Sequence, residues 1–152
     1  MSAKTKDRVI VTNRRARHEY AIEETYEAGI VLLGSEVKSL RDGRITLGDG
    51  YAAAQGDELF LANVHINEYP FANRENHLPM RPRKLLLHRR ELDDIKERLD
   101  QKGFTCIPLK LYFKEGRVKV ELGLARGKRQ VDKRHDLKER DARREMDRAR
   151  KG

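Results

Sequence analysis

The 152-residue chain carries 34 Lys/Arg against 25 Asp/Glu, a net charge of +9, with 39% charged and 38% hydrophobic residues. That length and balance suit one domain with a lean core and a heavily charged surface, and the cationic excess points to a polyanionic partner, nucleic acid ahead of membrane. No apolar run approaches the roughly 20 residues a bilayer requires, nothing resembles a signal peptide, and the single Cys106 cannot close an internal disulfide, which fits a reducing cytoplasm.

Taken in order, Met1 to Asp7 is polar and reads as frayed. Arg8 to Val11 reads as a short strand, and Asn13 as the N-cap of one or two turns through Arg17. Strand character returns from Tyr20 to Leu33. It ends in the apolar run Ile30 to Leu33, the composition of a buried strand. The period then changes: Leu33, Val37 and Leu40 fall on one helical stripe, Ser35 can cap the helix, and Glu36, Lys38, Ser39 and Arg41 are left off that stripe.

Asp42-Gly43-Arg44 and Gly48-Asp49-Gly50 read as turns, and Gln55-Gly56-Asp57-Glu58 as a hairpin between short strands with Leu59, Leu61 and Val64 inward. Pro70 to Pro82 reads as an exposed loop of about a dozen residues, holding Asn73, Asn76 and His77. Lys84 to Leu87 is apolar again, with its leucines read as mostly core. Arg89 to Lys102 is the clearest helix, with Leu92, Ile95 and Leu99 as its buried stripe and Gly103 as its stop. Phe104 to Tyr112 and Arg117 to Leu124 alternate around Lys114-Glu115-Gly116-Arg117, a second hairpin signal. These patterns describe a β-rich α+β domain with two or three helices over residues 1–125.

The last 27 residues, 126–152, are a separate object: they hold 12 Lys/Arg and 6 Asp/Glu, so +6 of the +9 resides there. From Asp132 to Arg150 the large apolar residues are Leu137 and Met146, nine apart and on no common stripe. The segment is nevertheless rich in helix formers, with Glu139 and Arg143 spaced four apart. It is read as a basic tail, disordered when free and helical when held by RNA.

No catalytic constellation emerges. The five histidines show no zinc spacing, and neither a phosphate-binding glycine loop nor a nucleophile elbow is present. The chain is therefore read as having no enzymatic activity, cofactor or metal of its own. The residues that stand out are cationic. Asn13, Arg14, Arg15, Arg17 and His18 gather three guanidinium groups and an imidazole within six positions, and arginine's planar fork of donors matches phosphate and stacks on bases. Lys38 and Arg41 on the central helix, and Arg81, Arg83 and Lys84 at the close of the long loop, are expected to meet the phosphate backbone, positioning RNA more than reading it. Glu36 among these cations can accept from a base amino group or orient an arginine.

Four stretches carry a resemblance over nearly the whole chain: Asn13-Arg-Arg-Ala-Arg-His-Glu-Tyr20, Gly34-Ser-Glu-Val-Lys-Ser-Leu-Arg41, Arg81-Pro-Arg-Lys-Leu-Leu-Leu-His88 and Gly127-Lys-Arg-Gln-Val-Asp-Lys-Arg134. In that order they resemble the small protein B family, the SsrA-binding proteins that partner transfer-messenger RNA. The resemblance implies an oligonucleotide-binding-like antiparallel barrel that grips the tRNA-like domain of that RNA, with Asn13 and Glu36 in contact with it. It also implies a tail, here Lys128, Arg129, Asp132, Lys133, Arg134, Lys138 and Arg140, that enters the decoding centre and empty message channel of a stalled ribosome. Val131 stands where relatives often carry an aromatic or histidine, so no stacking role transfers to it or to His135. The implied partners are transfer-messenger RNA, the small ribosomal subunit and, through the RNA, elongation factor Tu and alanyl-tRNA synthetase, with the protein acting as a cytoplasmic monomer in ribosome rescue. On the residues alone, a structured-RNA- or ribosome-binding protein without that specificity remains the alternative.

Overall fold

The computed structural model describes residues 7–71 and 76–127. The elements run β1 (Arg8–Thr12), α1 (Ala16–Glu19), β2 (Tyr20–Ile30), α2 (Gly34–Arg41), β3 (Ile45–Thr46), β4 (Tyr51–Gln55), β5 (Glu58–Ala62), β6 (His65–Ile66), β7 (Arg83–Leu86), α3 (Arg89–Leu99), β8 (Phe104–Lys114) and β9 (Arg117–Gly127). Seven strands form one antiparallel sheet in the order β1-β8-β9-β2-β7-β5-β4, and β3 pairs separately with β6. The outer strands β1 and β4 are not hydrogen-bonded to each other, so the expected barrel is observed as a large open sheet with three helices.

The centre of the sheet is the run of long strands β2–β9–β8. Its tight β8–β9 hairpin closes Lys114 on Arg117, and both central residues, Glu115 and Gly116, have positive φ, the turn that matches strand twist. One face carries the main core, including Ala28, Leu59, Leu61, Ile66, Leu111, Val120, Leu122 and Leu124, all essentially without exposure, and α3 lays Ile95 onto it with Leu92 and Leu99 beside it.

Strand β8 departs from the simple alternation expected of it. Cys106 to Leu109 are four consecutive buried residues, and the register shifts between Pro108 and Lys110. The bulge inverts the side-chain parity. Cys106 faces the main core before it and Leu111 and Phe113 face it after, which leaves Ile107 and Leu109 on the opposite face under Ala16 of α1. Gly123 on β9 makes room there, because a Cβ would meet Leu109 at 2.9 Å. The short helix α1 is thus held by a second, small apolar cluster, with Tyr20 and Ile22 packed around it.

Three local expectations are corrected. Asn13 does not cap α1: Arg15 precedes the helix, and the Asn13 side-chain amide donates instead to the Pro108 carbonyl at 3.0 Å while its backbone amide donates to Leu109 at 2.7 Å. The run Ile30 to Leu33 is not buried on both sides. Strand β2 ends at Ile30, and while Ile30 and Leu32 pack on the core, Val31 and Leu33 point into solvent. Helix α2 begins two residues earlier than a Ser35 cap would set, with Leu33 at the cap position, and its buried face is Ser35, Glu36, Ser39 and Leu40. That face is polar because α2 packs against loop carbonyls and a histidine, where hydrogen bonds can be made.

Candidate nucleic-acid interface

Glu36 is the centre of the α2 region. Its side chain has no exposed surface, and its carboxylate accepts four donors: the Leu33 amide at 2.7 Å, Arg81 through Nε at 3.2 Å and Nη2 at 2.5 Å, and Arg83 Nε at 2.5 Å. Burial pushes the Glu36 carboxyl up, but the hydrogen bonds from Arg81, Leu33 and Arg83 outweigh it and hold it below the ordinary carboxylate range. Burial draws the Arg83 guanidinium down from its ordinary value, opposed by the Glu36 carboxylate; a guanidinium stays protonated regardless.

Arg83 then directs its remaining donors to backbone, reaching the carbonyls of Val64 at 2.8 Å and Pro79 at 3.0 Å. Such complete satisfaction is what a buried charged group requires. It also fixes the long loop. His77, expected in an exposed loop, is 2% exposed, with Nε2 on the Ile66 carbonyl at 2.8 Å and Nδ1 on the Ser35 hydroxyl at 2.9 Å. Asn76 bridges both the amide and the carbonyl of Tyr69, at 3.1 and 2.9 Å. The described part of this loop is a pinned structure, not a slack connection.

The sequence-predicted contact residues therefore divide. Glu36 and Arg83 lie wholly inside and reach no ligand in this conformation, because each is consumed by the other and by the loop backbone. Arg81 is partly exposed, with two of its nitrogens committed to Glu36. Asn13 is half-buried and ties α1 to β8. Lys84 pairs with Glu58 at 3.0 Å across β7 and β5, both half-open to solvent. Arg14, Arg15, Arg17 and His18 stand exposed around the buried Ala16, and Lys38 and Arg41 are exposed on α2. The Lys38 ammonium sits 5.6 Å from the Tyr69 ring centroid. The tail residues Lys128, Arg129, Asp132, Lys133, Arg134, Lys138 and Arg140 lie outside the described residues.

Sequence reasoning missed Arg8, which donates to the last turn of α2 at the Arg41 carbonyl (2.7 Å), and the pair Arg98 and Arg126, whose guanidinium carbons lie 5.6 and 4.5 Å from the Phe104 ring centroid. It also took Leu86 as core, whereas it is 50% exposed on the outer face of β7, one residue from the buried Leu85. No pattern of charge along the chain marks these; strand pairing makes them neighbours. Cys106 lies in the core, and burial pushes its thiol up to about 12, so it behaves as a small hydrophobe and not a nucleophile. Among the described residues, no three His, Cys, Asp or Glu side chains gather where they could hold a metal ion. Nor is any described helix long and apolar enough to cross a membrane.

Fold and site together define a class: an antiparallel-sheet domain that displays a rigid cationic segment, α1, and a second cationic helix face anchored by a buried ion cluster. The family model described as "SmpB protein" matches residues 10–152. The SsrA-binding protein of Thermobifida fusca (strain YX) is 58% identical over 142 residues, 93% of this chain and 89% of the relative. That of Symbiobacterium thermophilum is 55% identical over 151 residues, 99% of this chain and 96% of the relative. A chain of a solved structure described as "tmRNA-SmpB: a journey to the center of the bacterial ribosome" has a similar fold, with TM-score 0.66 and 52% identity over 78% of this chain and 83% of that one. This chain belongs to the SmpB protein family.

Proposed function

We propose that this protein binds transfer-messenger RNA through its tRNA-like domain and delivers it to stalled ribosomes for trans-translation. The observation that carries this is the near end-to-end identity to SsrA-binding proteins, supported by the shared fold with a chain described together with tmRNA and the ribosome. The protein works as a binder in the cytoplasm, as a monomer and without catalysis, so elongation factor Tu and alanyl-tRNA synthetase meet it only through the RNA.

Arg14, Arg15, Arg17 and His18, with Lys38 and Arg41, hold the phosphate backbone of the folded RNA. Lys84 adds its charge from the β7 edge. Glu36 and Arg83 act through the fold: they fix the loop and orient Arg81, whose outer edge is the part open to RNA. Asn13 sets the position of the α1 cations by its two bonds to β8. The open sheet curls toward the oligonucleotide-binding-like barrel that the family resemblance implies. Supporting that closure, a Cβ on Gly50, just before β4, would lie 3.4 Å from Pro108 of β8, so the far edge of the sheet abuts its other half. Strand β9 takes in Arg126 and Gly127, expected as the start of the tail, so the ribosome-directed tail is residues 128–152, helical only when bound; stable helix in the isolated segment in plain buffer by circular dichroism overturns that part.

The test of the main reading is competition between the isolated tRNA-like domain and an RNA duplex of equal length for the full chain across a salt series. Counterion release weakens both with salt. A preference for the tRNA-like domain that persists at high salt is the expected result. Equal affinity for both reduces the protein to a general RNA binder.

A further inference from the structure

Between α1 and the turn Gly48-Asp49-Gly50 lies a cleft of two adjoining hollows, about 150 and 400 Å³, that share Glu19, Tyr20, Asp49 and Thr105 as lining. Together they fall in the size range of small-ligand sites. Tyr51, 43% exposed, and the half-buried Tyr20 give the cleft aromatic walls, and the buried Ile107 lies beneath. At its lip stand the exposed cations of α1, Arg15 among its lining.

The turn that closes the cleft is sterically specified. Gly48 has φ +47°, and a Cβ on Gly50 would meet Val64 Cγ2 at 2.5 Å and the Leu47 carbonyl at 2.9 Å, while the Gly50 amide donates to that carbonyl at 2.8 Å. Asp49 lies between these two glycines, at a place common to both hollows. Its neighbours in the cleft have their own partners: Glu19 pairs with Arg15 at 3.1 Å, and the Asn13 amide is committed to Pro108. Asp49 is exposed, lines both hollows, and forms no hydrogen bond or ion pair through its carboxylate with another described residue.

We propose that this cleft takes one unpaired guanine base of a folded RNA, walled by Tyr20 and Tyr51 and read along its Watson–Crick edge by Asp49. The inference rests on the reading that the protein binds structured RNA. Unstacked bases are recognised by aromatic walls and by hydrogen bonds to that edge. A carboxylate is acceptor-only, with two oxygens side by side. Guanine alone presents two adjacent donors there, N1–H and the N2 amino group. Adenine and cytosine set an acceptor nitrogen beside their amino group, against the carboxylate lone pairs, and uracil sets carbonyls on both sides of its one N–H. The exposed cations of α1 would hold the flanking phosphates, and the carboxylate would choose the base.

The probes are two RNA hairpins, identical except that the one unpaired purine in the loop is guanine or hypoxanthine, which lacks the N2 amino group. Titrated into the full-length protein, the guanine hairpin should bind about tenfold more tightly or better, the discrimination of a good bidentate contact, with the Gly48 and Gly50 amide resonances shifting only on binding. In Asp49→Asn the guanine hairpin should fall to the affinity of the hypoxanthine hairpin, while the thermal midpoint stays in place because Asp49 is exposed. Tyr51→Leu should weaken both hairpins alike. Equal affinity of the wild-type protein for the two hairpins, or a preference surviving in Asp49→Asn, overturns the guanine site and leaves RNA binding standing. Failure of both hairpins to bind at low salt overturns the RNA reading as well.

Discussion

Around α2 the guanidinium groups of Arg81 and Arg83 are folded in on Glu36, whereas at α1 those of Arg14, Arg15 and Arg17 stand in solvent around one buried alanine. The two regions are comparably cationic in sequence and differ in what lies beneath them. Under α1 is the apolar patch of Ile107 and Leu109, which anchors the segment by Ala16 and leaves the long side chains outside. Beneath α2 are loop carbonyls and His77, a polar floor that draws charged side chains inward and satisfies them. The first arrangement displays charge; the second converts it into rigidity. Composition alone cannot separate a charged display from a charged core.

The comparison breaks most visibly at Glu36. Glu36→Ala leaves the Arg83 guanidinium buried without its counter-ion, and removing one partner of a buried pair costs about 3–5 kcal/mol; urea unfolding should register a loss of that order. Arg15→Ala, by contrast, should change stability by no more than about 0.5 kcal/mol, as substitutions away from packed features do. Comparable losses in the two variants would erase the distinction between the regions.

A pH series sharpens the same contrast. The Glu36 carboxyl is held below its ordinary value in the folded protein, so its contribution is present in full above the unfolded carboxylate range. It is lost as pH falls through the folded value, because the unfolded chain takes up the proton first. Unfolding free energy of the wild-type protein should therefore drop on acidification below the usual Glu range. Glu36→Gln, already less stable at neutral pH, should lack that part of the slope; an unchanged slope would mean that other carboxylates set it.

Next in size is Ser35→Ala, which leaves His77 Nδ1 buried without its 2.9 Å partner. An unsatisfied buried group costs about 1–3 kcal/mol, and hydrogen exchange at loop amides next to His77 should quicken before global unfolding does. The smallest stability effect and the clearest RNA effect belong together: replacing Arg14, Arg15 and Arg17 by Gln should leave the thermal midpoint nearly in place. It should also flatten the slope of log affinity against log salt by up to about 2 to 3, at roughly 0.7–0.9 for each phosphate that the three side chains no longer neutralise.

Much of this was legible from residue order. Period and turn chemistry marked both hairpins, the amphipathic α3 and the cationic α1 segment, because those signals are local: glycine at positive φ, apolar residues three and four apart, prolines at the loop ends. The motif order marked the family. What residue order could not supply was the direction in which polar side chains point. Glu36, Lys38, Ser39 and Arg41 are equivalent to a hydropathy pattern, yet Glu36 and Ser39 are buried and Lys38 and Arg41 are not. His77, Arg83 and the Asp49 cleft likewise depend on partners far away in the chain, Ser35, Glu36 and the β8 bulge. Burial of a charge is decided by whether remote backbone and side-chain groups arrive to satisfy it, and only the assembled sheet and loop bring them there.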